Sequence, residues 1–250
     1  MSRKRIGELS IGQVPRVVGS ITQGETLDRI GRLTDLAFDI AEIRWDKIGT
    51  GKAAVLSTCR LIEKSGTPVL LTIRSSQEGG AWNGEDARRL ALYKKALSSV
   101  SAVDIEISSS IFRSVINAAR KAGKTVVGSF HDFERTPAVE ELCDIIRTGR
   151  RAGADIVKVA TAIHGPADIA ALFSVLKKEG KKPLCLIGMG EVGIPTRVTL
   201  ACAGSCLAYG YADRSAAPGQ MPSSTLMRRL RKSCPSYERD YLSRHGLAPA

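Results

Sequence analysis

TVVGSFHDFERTPAVEELCDIIRTGRRAGADIVKVA, running from Thr125 to Ala160, decides the fold. A β-branched apolar run opens it at 125–131 and another closes it at 154–160. Between them, residues 139–152 place apolar side chains at helical spacing, with Pro137 at the start and Gly153 just past the end. Proline at a helix start lacks an N–H that would go unsatisfied there anyway, and glycine suits the turn that ends a helix. The two flanking runs are nearly continuous rather than alternating, as parallel strands covered on both faces are. The stretch reads as one strand–helix–strand unit.

The same grammar extends in both directions. Further strand-like runs fall at 16–21, 37–44, 68–74, 103–107, 184–188 and 205–211, and helical spacing at 25–36, 52–64, 85–100, 111–121, 167–179, 196–203 and 223–231. Gly66, Gly123 and Gly180 follow helical stretches, and Pro195 begins one. Eight such units in 250 residues match a (β/α)8 TIM barrel, an α/β fold, in number and size. Periodicity alone leaves an open doubly wound sheet as the alternative. No Pro/Ser-rich linker interrupts the chain, so one domain is expected over 1–250, its core at about 16–232. Residues 233–250, with Pro235, Tyr237, Tyr241 and Pro249, read as a C-terminal surface extension with no assigned role.

Composition excludes several classes. Apolar residues are 43% and charged residues 25%, which is ordinary globular composition rather than that of a disordered chain. The longest uncharged stretch, 198–212, is shorter than the roughly 20 apolar residues of a membrane helix. The start, MSRKRIGELSIGQV, is basic but lacks the apolar block of a secretory signal, so a cytoplasmic location is expected. The 6 cysteines are dispersed without a C-x-x-C pair, which argues against a disulfide framework or a zinc site. The net charge of +12 is spread over separated runs, and aromatics are only 5%. A nucleic-acid reader would gather its charge on one face with interleaved aromatics. The charge reads instead as solvated helix ends and a field that attracts small anions.

In a barrel, chemistry sits at the C-terminal ends of several strands. The polar residues there are Ser20, Glu42, Arg44, Arg74, Glu78, Asp104, Glu106, His131, Asp132 and Lys158, with Gln220 in the loop after the eighth strand. Charges within apolar strands are costly unless paired, so their recurrence marks a polar mouth. Lys158 lies between aliphatic residues, where burial disfavours the ammonium and frees an amine to attack a carbonyl. A strand-end lysine paired with a carboxylate of the second strand is the bland alternative. His131 ends the neighbouring strand and suits proton transfer at neutral pH, and Glu78 is placed to hold its tautomer. Arg44, Arg74 and Arg197 suit two-pronged carboxylate recognition, which points to a small hydroxylated oxo-acid, with Glu42 and Gln220 available for its hydroxyls. His164 reads as a loop or capping residue.

These residues, in this order, resemble type I 3-dehydroquinate dehydratase, the Schiff-base dehydratase of the shikimate pathway. The matching segments are EIRWD (Glu42 to Asp46), TIRSSQEGG (Thr72 to Gly80), SFHDFERTP (Ser129 to Pro137), ADIVKVA, GMGEVGIPTR (Gly188 to Arg197) and APGQ (Ala217 to Gln220). The resemblance implies a (β/α)8 barrel, usually a homodimer, that uses neither metal nor organic cofactor. It implies loss of water from 3-dehydroquinate to give 3-dehydroshikimate. It assigns the imine to Lys158, proton transfer to His131, orientation of that histidine to Glu78, and the carboxylate to Arg197. It further implies that Ser20, Glu42, Arg44, Arg74 and Gln220 hold hydroxyls and the loop over the site. Many relatives carry Ser or Thr immediately before APGQ, where this chain has Ala216, so Ser215 is the candidate to replace that contact.

Two other enzyme readings compete. Gly188-Met-Gly-Glu-Val-Gly193 fits the G-x-G-x-x-G pattern of NAD(P)-binding oxidoreductases, with Asp213 lying 20 residues beyond. Pro195 opposes the helix that such a fingerprint needs, and only one strand follows it. A class I aldolase-type lyase would use the same lysine but would need a phosphate-binding glycine loop, for which APGQMP is a poor candidate.

Overall fold

The computed structural model describes residues 4–30, 37–49 and 54–248. The main sheet is built from eight parallel strands: β3 (Arg16–Ile21), β4 (Ile40–Arg44), β5 (Val69–Thr72), β6 (Ala102–Glu106), β7 (Thr125–Asp132), β8 (Ile156–Ala162), β9 (Leu184–Met189) and β10 (Leu207–Tyr211). Their spatial order is β10-β3-β4-β5-β6-β7-β8-β9. Closure between β9 and β10 uses the Cys206 N–H, which donates to the Leu184 carbonyl at 2.8 Å, and the Leu186 N–H, which donates to Ser205 Oγ at 2.9 Å. The result is the barrel, not the open sheet.

The connecting helices are α1 (Gly24–Ile30), α2 (Trp45–Ile48), α3 (Ala54–Lys64), α4 (Asp86–Ala96), α5 (Phe112–Lys121), α6 (Val139–Ala152), α7 (Pro166–Glu179), α8 (Thr196–Cys202) and α9 (Ser223–Ser233). Each covers the sheet with one apolar stripe. Helix α5 buries Phe112, Val115, Ile116 and Ala119, the spacing of a single helical face. Each aliphatic side chain so removed from water contributes about 1.5–3 kcal/mol against chain entropy. The second half of the expected helix 25–36 and the first residues of 52–64 lie outside the described residues. The strand expected at 37–44 is observed at Ile40–Arg44; just ahead of it the Asp39 N–H donates to the Val17 carbonyl at 2.8 Å and Asp39 Oδ2 accepts the Val17 N–H at 2.7 Å. Gly153 ends α6 with φ +109°, whereas Gly180 ends α7 with φ −70° and is needed for space, since a Cβ there would lie 2.4 Å from the Leu176 carbonyl oxygen.

Alternation along the strands divides the barrel interior by height. At the foot lie Val18, Ile40, Leu70, Ala102, Val127, Ile156, Cys185 and Leu207, all apolar and buried. A hairpin of β1 (Arg5–Ile6) and β2 (Leu9–Ser10), which the sequence pattern did not announce, closes that end with Ile6 and Ile11. Two residues further along six of the strands the interior turns polar, at Ser20, Glu42, Thr72, Asp104, Ser129 and Lys158, while β9 and β10 place Ile187 and Tyr209 there. The register aligns Ser20 with Glu42, Thr72 with Asp104, and Ser129 with Lys158.

The expectation for 233–250 needs correction. Residues Pro235–His245 form α10, and Tyr237 is fully buried within the main core cluster. Its hydroxyl donates to Asp39 Oδ2 at 2.9 Å, Arg244 donates to Asp39 Oδ1 at 2.6 Å, and Asp240 pairs with the buried Arg16. A polar sequence hid this role because only one face of the helix is used.

Candidate active site

The polar middle of the barrel opens into a pocket at the C-terminal ends of the strands. Ser20, Glu42, Arg44, Arg74, Glu78, His131, Lys158, Arg197 and Gln220 all line it, together with Ala216 and Tyr209. With the loop before α9 seated over it, the enclosed space is about 50 Å³.

Lys158 projects inward from β8 and is 6% exposed. Its Nζ lies 3.5 Å from Asp104 Oδ2 and 4.4 Å from the centroid of the Tyr209 ring. A carboxylate therefore does face the lysine, but it comes from β6 rather than from the second strand of the barrel. Asp104 is already engaged: its Oδ1 accepts from Arg74 Nη2 and from Ser129 Oγ, each at 2.6 Å. Burial alone would raise the Asp104 carboxyl; Arg74, Lys158 and the Ser129 hydrogen bond outweigh it and hold the group at about 2. Asp104 is an anion fixed by Arg74, with its second oxygen turned toward the amine.

His131, on β7 next to β8, presents Nδ1 at 2.9 Å from Glu78 Oε2, which also accepts the His131 backbone N–H at 3.0 Å. Glu78 is delivered by a 3-10 turn, Ser76–Glu78, capped by Ser75 Oγ accepting the Gln77 N–H at 3.2 Å. The two glycines after it are required. Gly79 has φ +74°, and a Cβ on Gly80 would lie 2.0 Å from the Arg74 carbonyl oxygen. Ser108 Oγ donates to Glu78 Oε1 at 2.7 Å. Burial pushes Glu78 up, and Ser108 and Arg74 only partly offset it. Burial, then the fields of Arg74, Lys158 and Arg44, keep His131 well below the usual histidine value, so it is neutral at neutral pH.

The arginines separate into two kinds. Arg44 is bound to Asp46 through both Nε (3.0 Å) and Nη2 (2.8 Å), and Asp46 also accepts the Ala81 N–H at 3.0 Å. Arg74 is spent on Asp104, Ser129 and Glu106, the last at 3.1 Å. Both line the pocket and at the same time hold its wall together. Arg197, from the first turn of α8, meets no carboxylate among the described residues. Its Nη1 donates to the Tyr209 carbonyl at 3.2 Å, its Nη2 to the Pro218 carbonyl at 3.1 Å, and its buried Nε has no partner. Burial lowers it to about 10, the signature of a cation kept without a counter-charge.

Glu42 accepts from Ser20 Oγ at 2.5 Å and from Thr72 Oγ1 at 2.8 Å, and Gln220 Nε2 reaches Ser20 Oγ at 3.3 Å. Ser215 does not join them. Its exposed hydroxyl donates to the Ala217 carbonyl at 2.9 Å, while Ala216 lines the pocket and donates its N–H to Gln220 Oε1 at 2.7 Å. Nor do the glycines of 188–193 open a helix; α8 begins at Thr196. They seat the loop instead: the Gly190 N–H donates to the Pro218 carbonyl at 3.2 Å, and a Cβ on Gly219 would lie 2.3 Å from the Gly190 oxygen. The dinucleotide reading fails on that geometry. His164 lies outside the pocket, its N–H donating to Asp168 in the first turn of α7.

Four contributors escaped the sequence reading: Asp46, Ser108, Ser129 and Tyr209. Ser129 and Tyr209 lie at the inward parity of their strands, a signal that could have found them. Asp46 acts from the one-turn helix α2 and Ser108 from a turn, both too short for periodicity to apply.

A buried lysine beside a strand that carries an imidazole–carboxylate pair, in a pocket shared with an arginine that meets no carboxylate among the described residues, is an arrangement suited to proton transfers next to a carbonyl in a carboxylic acid. The family model for type I 3-dehydroquinase matches residues 17–233, and the chain belongs to that family. The 3-dehydroquinate dehydratase of Methanosarcina barkeri is 37% identical over 226 residues, 86% of this chain and 93% of that protein. The crystal structure of the Geobacillus kaustophilus 3-dehydroquinate dehydratase superposes with a TM-score of 0.81 at 25% identity, covering 93% of this chain and 97% of that one. A Clostridium difficile type I enzyme, described with covalently modified comenic acid, gives 0.82 at 25% identity over 93% and 98%. The reaction is a hydro-lyase step of the shikimate pathway, the elimination of water from 3-dehydroquinate. The aldolase reading is set aside with it.

Proposed function

We propose that Lys158 carries this dehydration through an imine with the substrate ketone. The observation that bears most weight is the isolation of Arg197: a buried cation that meets no carboxylate among the described residues calls for the substrate carboxylate. With the carboxylate there, the ring lies over Lys158. The amine attacks C3, a carbinolamine forms, and loss of water leaves a protonated imine. His131, its Nδ1–H held by Glu78, presents Nε2 as the base that takes the C2 proton. The electron pair moves into the imine to give an enamine. As it returns, the C1 hydroxyl departs with a proton from His131, and hydrolysis of the product imine frees the lysine. Ser20, Glu42 and Gln220 form a hydroxyl-binding edge, and Arg44 and Arg74 keep the wall and the Glu78 loop in place.

The imine itself is the electron sink, so no metal or organic cofactor is required. A homodimer is inferred from the family resemblance, and a cytoplasmic location from the absence of an apolar block in MSRKRIGELSIGQV. No described helix is long and apolar enough to cross a membrane.

Borohydride reduction in the presence of 3-dehydroquinate, followed by mass mapping, should place one adduct on Lys158. Lys158→Ala should remain folded and lose turnover, whereas His131→Ala should turn over slowly and accumulate adduct. An adduct elsewhere, or turnover by Lys158→Ala, would remove the proposal.

A further inference from the structure

Besides Arg197 Nε, the pocket contains one buried polar atom without a partner among the described residues, the Tyr209 hydroxyl. Tyr209 points inward from β10 at the height of Lys158 and is 5% exposed. Its ring carries the amine at 4.4 Å from the centroid, a contact that phenylalanine would also supply. The hydroxyl is what needs a reason. Buried tyrosine hydroxyls usually find a partner, and an orphaned one costs about 1–3 kcal/mol.

The nearby acceptors are occupied. Both oxygens of Glu42 accept from Ser20 and Thr72, and Asp104 serves Arg74, Ser129 and Lys158. Burial, with the fields of Glu42 and Asp104, pushes the phenol well up, so it remains a donor at any working pH. The loop residues that line the pocket, Ala216, Ala217 and Gln220, carry no hydroxyl, and the exposed Ser215 donates to the Ala217 carbonyl.

We propose that the Tyr209 hydroxyl donates a hydrogen bond to a hydroxyl oxygen of bound 3-dehydroquinate beside the imine carbon. Tyr209 is then a substrate-contacting residue that recognises the hydroxylated ring. The inference rests on Lys158 being the imine lysine, since that fixes which part of the substrate lies against the tyrosine.

Tyr209→Phe tests it with the intact enzyme. The variant should keep or slightly raise its Tm, because an orphan donor is gone. Its kcat/KM for 3-dehydroquinate should fall about 3- to 10-fold, the value of one neutral hydrogen bond, while borohydride still traps the adduct on Lys158. A kcat/KM within about 2-fold of the parent would overturn the inference, as would a Tm lowered by several degrees, which would show that the hydroxyl has a structural partner. Failure to trap Lys158 in the parent enzyme would sink the imine reading and this inference together. Trapping in both proteins with unchanged kcat/KM would sink this inference alone.

Discussion

Two walls face each other across the pocket, and they are built on opposite principles. On the β5–β7 side every charge has an answer: Arg74 joins Asp104, Glu106 and Ser129, and Arg89 binds Glu106 and the Ile73 carbonyl. On the β9–β10 side, among the described residues, Arg197 meets only backbone carbonyls and leaves Nε idle, and Tyr209 Oη has no partner. The saturated wall is scaffold; it fixes a field in which His131 stays neutral and Asp104 charged. The unsaturated wall keeps its donors for a ligand. Desolvated donors already in place need no reorganisation when substrate arrives, and that is where binding energy is gained.

The largest expected effect comes from breaking the saturated wall. Asp104→Ala should cost about 3–5 kcal/mol in denaturant unfolding, because Arg74 and Lys158 lose their buried counter-charge, and turnover should vanish with it. A near-neutral unfolding result would show that the two walls do not differ. The same carboxylate sets an acid limit. Its folded-state pKa of about 2 lies below the unfolded value, so its stabilisation is complete above about 4 and is lost as pH falls toward 2. Asp104→Asn should flatten that limb of the stability profile.

Arg197→Met, which roughly conserves volume, should behave in the opposite way. Stability should change by less than about 1 kcal/mol, while KM for 3-dehydroquinate rises about 10- to 100-fold through loss of a charge-assisted pair. A large loss of stability with unchanged KM would place Arg197 with the scaffold. The smallest expected effect is a displacement in pH. The acid limb of kcat/KM, set by His131, should lie clearly below the ordinary 6.5, since burial and the cations of Arg74, Lys158 and Arg44 disfavour imidazolium. An apparent value at or above 6.5 would mean that the field of the scaffold wall does not reach the base.

The barrel was legible because parallel strands covered on both sides must be apolar, and helices between them must end in recognisable ways. Lys158, His131 and Glu42 were legible for the converse reason: a charge in such a strand is expensive enough to need a purpose. What stayed hidden depends on register or on loop conformation. Asp104 and Glu106 were visible as polar strand ends, but only the alignment of β5, β6 and β7 shows that they answer Arg74. Ser215 was assigned by its neighbours in the sequence, and the seated loop turns it away from the pocket. Helix α10 was missed because its apolar contribution is concentrated in Tyr237.

Tyr237, Asp240 and Arg244 tie the last helix to Asp39 and Arg16, at the start of the first barrel strand and the approach to the second. Those anchors are buried charges that stay uncompensated until α10 arrives. The seam between the first two barrel strands is therefore neutralised only once α10 has packed against it. Tags or deletions placed after Lys232 should be expected to trouble yield and solubility rather than chemistry.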